Sequence, residues 1–141
     1  MQPVLFDSSI YILASRGKDD PALNVGHLAE GRRVWLSAVV LEELYAGASA
    51  RNRSVVERLE HDFSRAGRIV VPSLSDWTQT GEVLARLAMK HGYEQIGRGR
   101  LTNDALIAMS AGRLGITVVT ANARDFARLA EFRRFEWRVS N

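Results

Sequence analysis

The chain has 141 residues and is 46% hydrophobic, enough for one domain with a sizeable core, while no apolar run approaches the ~20 residues needed to span a bilayer. Cysteine is absent, which excludes a disulfide framework, a thiolate metal site and a Cys nucleophile and suits a reducing cytoplasm; the N-terminus lacks a basic-then-apolar signal pattern. The formal charge is +3 and the only lysines are Lys18 and Lys90, so the positive charge is nearly all Arg, whose planar fork matches phosphate. An anionic polymer as partner and a plain solvated Arg surface account for this composition equally well.

The first predicted element is a strand over 4–6 in "VLFDSSIYI", which runs straight into Asp7 and a helix over 9–14. A carboxylate at the end of a buried strand costs free energy unless something pairs with it. Asp7, Ser8 and Ser9 are all good N-caps, so capping alone would explain this Asp. A helix over 22–30 and a strand over 34–36 follow, then a helix over 38–48 in "SAVVLEELYAG". At 100° per residue, Val40, Leu41, Leu44, Gly47 and Ala48 form its predicted buried stripe, with Glu42 opposite and Glu43 on the border. Glu43 is either a cleft residue or a boundary Glu with its head in water.

Helices are expected over 53–65 and 75–91, with a strand over 68–71 between them. "HGYEQIGRGRLTND", residues 91–104, reads as the loosest stretch, and its Arg98 and Arg100 are candidate phosphate contacts or solvated loop arginines. The next helix, 102–114, places Asp104 within a small apolar face made by Leu101, Ala105, Ile107, Ala108, Ala111 and Gly112. A carboxylate so placed needs a cationic partner or a metal. A strand over 117–120 then leads to "TANARDF", where Asn122 and Asp125 form a capping-box-like pair at a helix over 124–129. A strand over 135–139 closes the pattern.

Strands alternating with helices predict a mainly parallel sheet covered on both faces, with ligands beyond the carboxyl ends of the strands. Three strand-to-helix exits carry a carboxylate, and Asp104 adds another. Acids converging at one end of a sheet repel unless a hard cation such as Mg²⁺ or Mn²⁺ screens them. Such an ion next to an Arg-rich surface points to phosphodiester cleavage.

"VLFDSS", "LEELYAG", "TNDALIA" and "VTANARDF", in that order and spacing, resemble the PIN-domain ribonucleases, and among them the VapC-type toxins of toxin–antitoxin pairs. The resemblance spans about residue 3 to the last strand, that is, one domain over 1–141. It implies an α/β/α three-layer sandwich, Mg²⁺ or Mn²⁺ dependence and endoribonuclease activity on tRNA, rRNA or mRNA. It also implies a cytoplasmic homodimer and a cognate VapB-like antitoxin that blocks the active site. Residue by residue, Asp7, Glu43 and Asp104 match the three family acids and would hold the metal, and Ser9 matches the small polar position that orients the first. Many PIN domains carry an Asp two residues after the Thr that ends strand four; here that Thr is Thr120 and the position is Asn122. Asp125, three residues later, is the alternative fourth acid.

Other classes fit less well. A phosphoacceptor receiver domain needs a Lys at a late strand end, and neither Lys stands there. A triad hydrolase needs a G-x-S-x-G elbow and a base, whereas no elbow occurs and His27, His61 and His91 lie away from the strand ends. A non-catalytic RNA-binding module of the same fold remains the alternative.

Overall fold

The computed structural model describes residues 2–15, 33–92 and 99–140. Its strands are β1 (Pro3–Phe6), β2 (Arg33–Ser37), β3 (Ile69–Val70), β4 (Thr117–Thr120) and β5 (Trp137–Val139). They pair in the order β3-β2-β1-β4-β5, and every pairing is parallel. Val4, Leu5 and Phe6 are all buried, as are all four residues of β4. Such unbroken buried runs are what a parallel sheet with both faces covered requires. The expected α/β sandwich around a parallel sheet is thus the observed one.

The helices are α1 (Ser8–Ser15), α2 (Ala38–Gly47), α3 (Arg53–Arg65), α4 (Leu74–His91), α5 (Gly99–Leu114) and α6 (Ala123–Ala130). Residues 104–111 of α5 are buried without a break, because this helix packs on α2, α4, α6 and β4. A helix covered on nearly every side has no polar stripe, which explains its weak amphipathic pattern. At its end Gly115 takes φ +68°; its N–H donates to the Gly112 carbonyl, and the Ile116 N–H to that of Ala111. This left-handed stop feeds the chain directly into β4.

Two expectations change. The helix expected over 102–114 begins already at Gly99, so Arg100 stands in a helical first turn rather than in a loop. The buried side of α2 is Val39, Val40 and Leu41; Leu44 and Ala48 are half-buried and Gly47 is exposed. The contacts of α2 with α1, α3, α5 and β2 displace that face from the simple wheel. The predicted helix over 22–30 and Arg98 lie outside the described residues.

The strand order fixes where a site belongs. From β1 the chain moves outward through β2 to β3, and then returns to the other side of β1 for β4 and β5. Such a reversal leaves a crevice at the carboxyl ends of the two central strands. Asp7 follows β1 directly, and Thr120 ends β4.

Candidate active site

Asp7 is 3% exposed, and its carboxylate spans the crevice between β1 and β4. The Ser9 hydroxyl donates to Oδ1 at 2.5 Å, and the Thr120 hydroxyl to Oδ2 at 2.5 Å. Each hydroxyl is committed to that direction because its own oxygen accepts a backbone N–H from the β4–α6 turn. Ala121 donates to Ser9 Oγ at 3.0 Å, and Asn122 to Thr120 Oγ1 at 3.0 Å. A hydroxyl has one proton to give, and the shortest bond of each is the one to Asp7, which it holds as an acceptor. Burial nevertheless pushes the Asp7 carboxyl above the usual carboxylate range, and the Ser9 and Thr120 hydroxyls offset part of that.

Glu43 reaches the same region from α2, which touches α1. Ser37 caps α2 by accepting the Val39 N–H at 3.1 Å, and this sets the helix at the end of β2. Burial pushes the Glu43 carboxyl up; the Ser8 hydroxyl opposes this and the negative charge of Asp7 adds to it. Glu43 Oε1 is buried and, among the described residues, has no hydrogen-bond partner. A buried carboxylate oxygen without a donor is costly, and a cation is the partner its chemistry fits best.

Asp104 is 5% exposed on α5, one residue beyond Asn103, whose side-chain amide donates to Glu42 Oε1 at 3.2 Å. Asp7 and Glu43 are therefore close enough to feel each other's charge, and Asp104 stands on the helix tied to α2. Among the described residues, no three Asp, Glu or His side chains are gathered closely enough to hold a metal ion by themselves. Asp125 is half-buried in the first turn of α6. Asn122 occupies the N-cap of α6 without a side-chain cap bond, so the capping-box-like pairing with Asp125 does not form. Asn122 serves the site through its backbone N–H instead.

Sequence reasoning missed Ser8 and Asn103. Each adjoins a residue it singled out, and only contacts between elements distant in the chain reveal what they do.

These features have counterparts among known proteins. The PIN domain family matches residues 4–132 of the chain. The chain belongs to the PIN-domain family. A curated relative, the tRNA(fMet)-specific endonuclease VapC of Shigella flexneri, is 28% identical over 149 residues, covering 97% of this chain and 99% of its own. Among solved structures, DNA-bound VapBC from Salmonella typhimurium aligns with a TM-score of 0.69 at 25% identity, covering 99% of this chain and 98% of the other. VapBC2 from Rickettsia felis, bound to a promoter DNA fragment, aligns with a TM-score of 0.67 at 25% identity, covering 99% and 100%. This PIN domain thus resembles the VapC members of the family. Among its described residues, no helix is long and apolar enough to cross a membrane.

Proposed function

We propose that this PIN domain is a Mg²⁺- or Mn²⁺-dependent endoribonuclease and the toxin of a VapBC-type pair. The observation that carries the reading is the buried Asp7 beside the half-buried Glu43 near the β1–β4 crevice, both pushed toward protonation, with Glu43 Oε1 buried and, among the described residues, without a donor. Two desolvated carboxylates of like charge are a donor set that fits a hard divalent cation. Mg²⁺ keeps several waters and is commonly bound through one or two carboxylates, so a ready cage of three acids is not required. Asp7 and Glu43 would hold the ion, with Asp104 completing the acidic set. When bound, the ion supplies Lewis-acid stabilisation of the phosphodiester and lowers the pKa of water. Ser9 and Thr120 fix the aim of Asp7, Asp125 adds negative charge at the start of α6, and Arg98 and Arg100 would meet the RNA backbone.

The RNA substrate and the antitoxin come from similarity. The Shigella relative is named for cleavage of an initiator tRNA, and the Salmonella and Rickettsia structures are VapBC complexes on DNA. A cognate VapB-like antitoxin and a homodimer follow the same reasoning, with the cytoplasm as their place of action.

The test is cleavage of RNA by protein freed of contaminating nucleases. Asp104→Asn keeps the side-chain volume while removing its charge, and should abolish cleavage with folding unchanged. Expression in a bacterial host should arrest growth, with relief by the antitoxin and no arrest with Asp7→Ala. Equal cleavage by Asp104→Asn and wild type would overturn the nuclease assignment; harmless expression of an active nuclease would remove only the toxin role. The lack of a three-acid cluster favours one other reading, a non-catalytic RNA-binding module. Direct Mn²⁺ binding separates the two, since such a module has no use for the ion.

A further inference from the structure

We propose that Asn103 is a positioning residue, which ties the helix of Asp104 to the helix of Glu43 and so holds the bare oxygen of Glu43 in place for a divalent cation. This rests on the metal-dependent reading above.

The geometry is specific to a few side chains. Asn103 lies on α5 immediately before Asp104, and its Nδ2 donates to Glu42 Oε1 at 3.2 Å on α2, immediately before Glu43. One hydrogen bond therefore joins the neighbours of two of the three family acids, across the seam where α2 and α5 meet. An amide nitrogen carries two protons, so one side chain has the capacity to serve both carboxylates. One residue beyond the acceptor Glu42, Glu43 keeps Oε1 buried and, among the described residues, without a donor. The two helices also pack against each other, and this contact adds to that packing in setting the spacing of Glu43 and Asp104. Partners that orient a metal-holding carboxylate commonly change metal affinity by about 10–100-fold when removed.

The experiment measures Mn²⁺ binding directly by calorimetry on wild type, Asn103→Ala, Asn103→Leu and Glu42→Gln, with melting in EDTA as a control on folding. Alanine is a strong helix former and leucine keeps the volume, so at least one variant at this half-buried position should melt like wild type. Both should bind Mn²⁺ about tenfold more weakly. RNA cleavage by either should recover at saturating Mn²⁺, which a general structural defect would not allow. Glu42→Gln removes a charge but keeps an oxygen acceptor for Asn103, and should bind within about twofold of wild type. Unchanged Mn²⁺ affinity in both Asn103 variants overturns the proposal while leaving the nuclease reading intact. An equal loss in Glu42→Gln also overturns it, because attraction by the Glu42 charge would then explain the effect. Absence of Mn²⁺ binding by wild type overturns both readings.

Discussion

Two parts of this PIN domain bury carboxylates, and they do so in opposite ways. At the α4–α5 contact, the Asp76 side chain is fully buried, and Arg113 Nε donates to both of its oxygens at 3.1 Å while Nη2 donates to Oδ2 at 3.0 Å. The Ser73 N–H adds a further bond at 2.8 Å, closing a capping box at the start of α4. Burial alone would raise the Asp76 carboxyl, but Arg113 and Ser73 hold it below the usual range. At the β1–β4 crevice, Asp7 and Glu43 have hydroxyl, amide and backbone donors but sit high, and one Glu43 oxygen has no donor among the described residues. The difference teaches what a buried acid's partners decide. Asp76 has an arginine for its charge, whereas Asp7 and Glu43 have only neutral donors among the groups that lower them, which is what the proposed metal site calls for.

The sharpest way to break this comparison is to make the structural acid resemble the other. Arg113→Met strands the Asp76 charge in a fully buried position and should cost about 3–5 kcal/mol in urea unfolding. Asp76→Asn should cost less, because Arg113 is 37% exposed and water can solvate it. Neither should abolish cleavage by the fraction that remains folded. Equal losses for the two variants would show that burial does not set the cost.

Adding a divalent cation should do the reverse. Mn²⁺ at about 100 times its dissociation constant should stabilise the protein by about 2.7 kcal/mol. Thermal melting at neutral pH reads this directly, and Asp7→Asn should remove most of the shift. A full shift in that variant would place the ion elsewhere.

The response to pH is smaller and should carry opposite signs in the two regions. Asp7 and Glu43 bind protons more tightly folded than unfolded, so without metal stability should rise as pH falls from neutral through their raised values. Asp76 binds its proton less tightly when folded, so its contribution is complete above the unfolded carboxylate pKa of about 3.9 and is lost as pH falls through its lowered value. Urea unfolding against pH in EDTA should therefore show a maximum on the acid side of neutrality. Glu43→Gln should flatten the rise and leave the acid fall unchanged. A rise of the same steepness in that variant would mean that Glu43 is not buried as a charge.

The sequence by itself determined the alternation of strands and helices, because buried parallel strands read as short β-branched runs and the intervening helices carry their own caps and stops. All five strands fall within about two residues of their expected bounds for this reason. It also singled out Asp7, Glu43 and Asp104, since a carboxylate on an otherwise apolar face stands out in any local pattern. The tertiary structure decided the rest. Strand order placed the crevice between β1 and β4, and no local pattern encodes which strands become neighbours. Ser9 and Thr120 share one carboxylate although 111 residues separate them. Asn103 meets Glu42 across 61 residues, and Asp76 finds Arg113 across 37. Asp76 drew no notice in the sequence and Asn122 read as a cap, because local rules cannot tell a side chain that bonds its own helix from one that bonds a distant element. Pairing between remote elements is a property of the packed chain, and it alone separated Asp76, which Arg113 holds low, from Asp7 and Glu43, which burial pushes up.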